Sequence, residues 1–280
     1  MPAGYGGGLA INHYITPEGY ALERFLDDCA EAGATGVGLT ERALAEMPLE
    51  RLGQALEERS LRVTSVNSAG FFLWDDPQKA LRQQEINAAL IHAAAVLGAD
   101  ALVTITGGLH DYAEARPGDL KRVRSRVEQD LAPLIDAAVA RDVRLGLEPM
   151  HPIRIPNKST LNTLAQTERQ LAHHPGLGFV LDMFHSWWDP DLEEVLERSV
   201  SRLRLVQLTG VAQPRGDVLL PVRCPLGEGL VDLPALLATL RSVGYRGHFE
   251  FELFAPDLRG ATVAEAIRRA VAEFGAAWEG

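Results

Sequence analysis

Four stretches of this chain carry an oxygen-bearing side chain at or near the end of a short apolar run. "VRLGLEPMHP" (143–152) alternates Val143, Leu145 and Leu147 with Arg144 and Gly146, reaches Glu148, and has His151 three residues on. "LGFVLD" (177–182) closes on Asp182 and runs into "MFHSWW", which carries His185. "LRLVQLT" (203–209) holds Gln207 among Leu and Val. "GHFEFEL" (247–253) holds Glu250 and Glu252 in alternation with Phe249, Phe251 and Leu253, so the two glutamates share a face. Singly, most have an ordinary explanation. Glu148 before Pro149 reads as a turn residue, Gln207 as a buried amide, and Glu250 and Glu252 as a solvated face. Asp182 is harder to dismiss, because packing alone rarely demands an acid closing an apolar strand with a histidine at +3. Brought to one rim, unpaired carboxylates would repel and raise each other's pKa. A divalent cation removes that problem, and mostly oxygen ligands suit Mn²⁺, Mg²⁺ or Co²⁺.

The elements that would bring them together are regular. Strand candidates fall at 8–13, 36–40, 61–67, 101–106, 143–148, 177–182, 203–209 and 247–253, eight in all, with helical patterns between them. The helical segment at 17–33 has Pro near its start and Gly at its end; that at 76–99 runs its apolar residues up to Gly98. The segment at 118–142 contains Pro133, a candidate kink, and that at 159–176 opens on a Ser/Thr cap. Two more lie at 232–247 and 262–278. Eight units in 280 residues is 35 per unit, suited to βαβ repeats, and no break in composition divides the chain. The predicted fold is therefore α/β, a single (β/α)8 TIM barrel over residues 1–280. A doubly wound open sheet would carry a Gly-rich phosphate loop between its first strand and helix, and "GYGGG" precedes the strand instead. In a barrel the inward face of the eighth strand is interior, where a bare carboxylate is costly.

Composition narrows the function classes. Lys plus Arg is 27 against 38 Asp plus Glu, a net charge of −11, which disfavours a nucleic-acid partner. The basic run at 120–126 reads as a solvated helix face. Cys29 and Cys224 have no CxxC partner, so neither a disulfide nor a thiolate metal site is expected. The first ten residues lack a signal-peptide pattern and no apolar run is long enough to span a membrane, so a cytoplasmic protein with a small-molecule partner is expected.

With those residues placed, the sequence resembles the sugar isomerase/epimerase barrels of the xylose-isomerase-like superfamily. "LEPMHP" is similar to the motif at strand five, "LDMFHSWWDPDL" to the Asp-x-x-His motif after strand six, and "LGEGLVDLPALLATLRSVGYRGHFEFELF" to the last strand–helix–strand segment. "ELFAP" is similar to the end of inosose and hydroxypyruvate isomerases; ketose 3-epimerases share the same scaffold. The resemblance implies one divalent metal held by Glu148, Asp182, Gln207 and Glu252. Mn²⁺ is preferred, with Mg²⁺, Co²⁺ or Zn²⁺ as alternatives. Glu252 is chosen over Glu250 because it precedes "LFAP", which leaves Glu250 to support the ligands from behind. Many members have His where this chain has Gln207, which implies looser metal binding and a shift away from zinc. The related AP-endonuclease barrels need more histidines and a DNA-binding face.

The reaction so implied is isomerisation or epimerisation of a small sugar, keto-sugar or cyclitol through a metal-stabilised enediolate, with Glu148 and Glu252 as the acid/base pair. His185, His151 and Lys158 are candidate substrate-binding residues, and Trp187, Trp188, Phe71 and Phe72 candidates for an apolar wall. Loops at 12–14, 67–76 and 106–112 would choose the substrate. The alternatives are a lyase on the same scaffold, either a dehydratase or a 3-keto-glycoside-cleaving enzyme, and a non-catalytic polyol-binding barrel. The oligomeric state is left open, a homo-oligomer included.

Overall fold

The computed structural model describes residues 8–109, 115–213 and 220–279. Its strands are β1 (Leu9–Asn12), β2 (Gly36–Thr40), β3 (Arg62–Gly70), β4 (Ala101–Ile105), β5 (Leu145–Leu147), β6 (Gly178–Asp182), β7 (Leu203–Leu208), β8 (Gly210–Ala212), β9 (Val222–Cys224) and β10 (His248–Phe251). Eight of them close a parallel barrel in the order β1-β10-β7-β6-β5-β4-β3-β2, and β8 and β9 form a separate antiparallel pair. The predicted (β/α)8 barrel is thus the observed one. All eight strand candidates are barrel strands, with ends shifted by up to three residues. Of the loops expected to choose the substrate, His110–Tyr112 lie outside the described residues.

The helices start and stop where backbone chemistry dictates. Asp76 caps the helix Pro77–Leu97 by accepting from the backbone N–H of Gln78 at 2.9 Å, Pro77 opens it, and Gly98 ends it at φ +62°, a conformation glycine adopts freely. The helix Leu164–His173 is started by a capping box, Thr163 with Gln166, rather than by the Ser159–Thr160 pair that opens the predicted segment. Pro133 lies inside a continuous helix, Asp119–Val139. Two helices beyond the predicted set, Glu41–Glu46 and Leu49–Glu58, fill the connection from β2 to β3, and two more, Met183–Ser186 and Leu192–Ser199, follow β6.

Alternation along each strand sorts side chains into two cores. Val37, Leu39, Leu102, Leu145, Phe179, Leu181, Val206, Phe249 and Phe251 face outward and pack with the helices. Inside the barrel, Ala101, Val103, Val180 and Leu205 form a small apolar cluster. Across from it the interior is polar, with Asn12, Thr64, Ser65, Asn67, Gln207 and Glu250 all buried. Gly38 makes room for this second half, because a Cβ there would stand 2.5 Å from a carboxylate oxygen of Glu250. The N-terminal end of the barrel is closed by Asp100, which pairs with Arg144 and His248 at 3.1 Å each and with Arg62 at 3.5 Å.

Leu205 has no exposed surface, whereas Leu81 is 59% exposed on its helix. Replacing Leu205 by Ala is expected to cost about 2–5 kcal/mol of unfolding free energy in urea titrations, and Leu81→Ala less than about 0.5 kcal/mol.

Candidate active site

The C-terminal ends of the barrel strands surround a cavity of about 400 Å³. Glu148 stands one residue past β5, Asp182 is the last residue of β6, and Glu252 is one residue past β10. All three are buried, at 4%, 0% and 5% exposure. Glu148 and Glu252 line the cavity with His185, Lys158, Arg154, Tyr14, Asn67 and Arg223. Asp182 lies beneath it, in register with Gln207 on the neighbouring strand. Because β6 and β7 separate β5 from β10, Glu148 and Glu252 flank Asp182 and Gln207 from opposite sides.

The charge balance of this group rests on Arg223, which sequence reasoning missed. It sits on β9, is 4% exposed, and binds both oxygens of Asp182, the Glu252 carboxylate at 2.9 Å and the Glu252 carbonyl at 3.1 Å. Its guanidinium lies over the rings of Phe184 and Phe254, 4.6 and 5.2 Å from their centroids. Burial alone would push the Asp182 carboxyl up, but Arg223 and then His185 hold it below its ordinary value. Burial raises the Glu252 carboxyl well above its ordinary range, and Arg223 only partly offsets this. The Glu148 carboxyl is pushed up to about 8, first by burial and then by the charge of Asp182. The only local signal for Arg223 was an isolated arginine in a stretch with no strand or helix pattern.

His185 is equally buried. Its Nδ1 accepts the backbone N–H of His151 at 3.2 Å, so the neutral ring carries its proton on Nε2. That nitrogen faces Asp182 at 3.6 Å and Glu148 at 3.9 Å. Ligand atoms of Glu148, Asp182 and His185 lie within 4.8 Å of one another, near enough to share an ion. The protonated Nε2 nevertheless favours donation to an oxygen over coordination. Burial, with Arg223, lowers the ring's pKa to about 3 despite Asp182 beside it.

The other predicted site residues divide. Lys158 lines the cavity, its Nζ 5.3 Å from the Phe71 ring centroid. His151 does not line it; it holds His185 through its backbone and stacks edge-on against Trp188 at 5.5 Å. Gln207 is fully buried, and its Nε2 donates to Glu250 at 3.0 Å. Its Oε1 has no hydrogen-bond partner among the described residues, a deficit of about 1–3 kcal/mol for a buried acceptor. Phe72 and Trp187 pack against the core, and the apolar wall is built instead from Tyr14, Ile105, Met150, Phe184 and Phe254. Arg154 was also missed, whereas Tyr14 belongs to the 12–14 loop expected to choose the substrate and does line the cavity. Burial and the charge of Glu252 raise the Tyr14 phenol, and its ring stacks on Phe254 at 4.8 Å.

With barrel and mouth in place, known proteins give a clear match. The family model described as xylose isomerase-like TIM barrel covers residues 26–274. This chain belongs to that family. Among solved structures, this xylose isomerase-like barrel is similar to a Sinorhizobium meliloti protein, SMc04130, at 27% identity and TM-score 0.87, covering 98% of this chain and 99% of that one. It resembles the zinc-binding IolI protein at 21% identity and TM-score 0.80, covering 97% and 98%. An L-ribulose 3-epimerase matches at 21% identity and TM-score 0.76, covering 97% and 94%. The last two identities carry the fold alone. In sequence, the 3-dehydroshikimate dehydratase of Pseudomonas putida is 32% identical over 136 residues, 47% of this chain. This chain spans only 21% of that relative's length. No helix among the described residues is long and apolar enough to cross a membrane.

Two expectations follow. Arg223→Met leaves Asp182 and Glu252 buried without their cation and should cost about 3–5 kcal/mol in denaturant unfolding; a loss below about 1 kcal/mol would show that the carboxyls find another partner. For His185, whose pKa is depressed, the ring of the metal-free protein should stay neutral from pH 5 to 8. Long-range ¹H–¹⁵N correlation spectra should show the Nε2–H tautomer. An Nδ1–H pattern would instead free Nε2 for a metal.

Proposed function

We propose that this barrel is a divalent-metal-dependent isomerase or epimerase of a small keto-sugar, polyol or cyclitol. The observation that carries the reading is the donor set at one rim. Two buried carboxyls, Glu148 and Glu252, line a cavity large enough for a sugar, and the buried Asp182 and the unpartnered Gln207 oxygen stand on the two strands between them. Oxygen donors of this kind suit a hard divalent cation, and Glu148, Asp182, Gln207 and Glu252 are the residues proposed to hold it; Glu148 and Asp182 already lie close enough to share an ion, together with His185. All four offer oxygen, which favours Mn²⁺, Mg²⁺ or Co²⁺; zinc, which the IolI protein binds, remains an alternative. Bound there, the cation supplies Lewis-acid polarisation of a carbonyl and the adjacent hydroxyl, and stabilises charge left when an α-proton is removed.

The rest is done by this chain's own side chains. Glu148 and Glu252 flank the centre from opposite sides, so one can take the α-proton and the other return a proton. A carboxyl raised toward neutrality, as at Glu148, is suited to exchange a proton at physiological pH. Nε2–H of His185 and Nζ of Lys158 are the donors placed for substrate oxygens, and Arg223 neutralises the carboxylates between turnovers. Phe184, Phe254, Met150 and Tyr14 exclude water from the reacting carbon. A second reading, dehydration, is favoured by the likeness to 3-dehydroshikimate dehydratase. It begins with the same proton abstraction and then expels a β-hydroxyl.

The test is a screen of Mn²⁺-loaded protein against ketoses, inososes and 3-keto-glycosides in deuterated water. Deuterium beside the carbonyl of a product of unchanged composition is the expected result, and loss of water or aglycone would select a lyase. Glu148→Gln and Glu252→Gln should each lower turnover by about 10²–10⁴-fold, and chelation should abolish it until Mn²⁺ is restored. Turnover that survives both substitutions would sink the proposal.

A further inference from the structure

Beneath the cavity, Glu250 is fully buried and uses both oxygens. Oε1 accepts from Asn12 Nδ2 at 2.7 Å and Gln207 Nε2 at 3.0 Å. Oε2 accepts from Thr64 Oγ1 and Ser65 Oγ at 2.7 Å each. Asn67 completes the ring. Its Nδ2 donates to Ser65 Oγ at 2.6 Å, which leaves its Oδ1 facing Gln207 Nε2 at 3.5 Å. Register adds a second line of argument. Glu250 is paired with Gln207, and Gln207 with Asp182, so the three side chains enter the barrel at one level on adjacent strands.

An amide can present either end, and the environment decides which. At Gln207 two acceptors, Glu250 and Asn67, stand at the nitrogen. A flipped amide would set its oxygen against the Glu250 carboxylate and the Asn67 carbonyl and lose both of the bonds its nitrogen makes. Held as it is, the amide keeps its oxygen free of any described partner, at a strand position paired with Asp182.

We propose that Glu250 is a positioning residue for the divalent-cation centre: it fixes the Gln207 amide so that the carbonyl oxygen, not the nitrogen, is offered to the ion. This rests on the metal reading above, and it makes reach, rather than charge, the property that matters at position 250. Two substitutions separate the two. Glu250→Gln removes charge and keeps reach, since its oxygen can still accept from Asn12 and Gln207 while its nitrogen donates to the Thr64 and Ser65 hydroxyls. Glu250→Asp keeps charge and withdraws the oxygens by one methylene.

The experiment is Mn²⁺ titration of the purified full chain, read by the electron-paramagnetic signal of free Mn²⁺, with circular dichroism confirming the fold. The expected order is a Glu250→Gln affinity within about threefold of the parent and a Glu250→Asp affinity weaker by about tenfold, the scale of an orienting hydrogen bond behind a ligand. Gln207→Ala should also weaken binding by about tenfold, and adding Glu250→Asp to it should change nothing more. Equal loss in both Glu250 variants, loss in the Gln variant only, or loss in neither overturns the proposal. An unchanged Gln207→Ala overturns it and leaves the carboxylate centre standing. A parent chain that binds no Mn²⁺ overturns the metal reading along with it.

Discussion

Glu148, Asp182 and Glu252 are buried together at the mouth of the barrel, and carboxyls removed from water must meet a cation, a donor or a proton. The surrounding structure answers that demand. Arg223 is delivered from outside the barrel by the β8–β9 pair, which among the described residues forms its own two-stranded sheet and not a further strand of the barrel. Its anchorage is tight: Val211 pairs with Arg223 in register, and Thr209 Oγ1 donates to the Cys224 carbonyl at 3.1 Å. The guanidinium lies over the rings of both Phe184 and Phe254, an arrangement that suits a weakly hydrated planar cation better than an ammonium. Burial and then the charge of Asp182 raise the Glu148 carboxyl, and Arg223 and Lys158 offset that only in part.

The same constraint shapes the barrel interior. An apolar filling throughout would give the amide and carboxyl groups of β7 and β10 nothing to bond. Instead β4, β6 and β7 supply the small apolar cluster, while β1, β3, β7 and β10 supply a connected polar set with Glu250 at its centre. The two halves are held differently, one by packing and the other by hydrogen bonds that leave only the Gln207 oxygen of this set without a described partner. Gly38 shows the cost of the arrangement, since any side chain there would collide with the Glu250 carboxylate.

What was legible in the sequence is what is local. Strand alternation, the Asp76–Pro77 start, the Gly98 stop and the side on which Glu250 and Glu252 fall depend on neighbours a few residues away. The helices Glu41–Glu46 and Leu49–Glu58 were missed because the Met47–Pro48 break splits one pattern into two short ones. Arg223 was missed for a different reason. Its partners Asp182 and Glu252 lie 41 and 29 residues away, and nothing in "PVRCP" announces them. The carboxyls themselves pointed to a buried cation, but not to where the chain would find one.

The site residues that were hardest to assign share a property. A carboxylate is symmetrical, so its position alone states what it offers. An imidazole has two tautomers and an amide two orientations, so their function depends on a neighbour that the sequence does not indicate. The His151 backbone N–H sets the tautomer of His185, and Glu250 with Asn67 sets the end of Gln207 that stays free. Where a strand-seven imidazole would need only one nitrogen aimed inward, an amide needs a partner to hold its other end. Such a partner stands behind Gln207, at the paired position of the next strand.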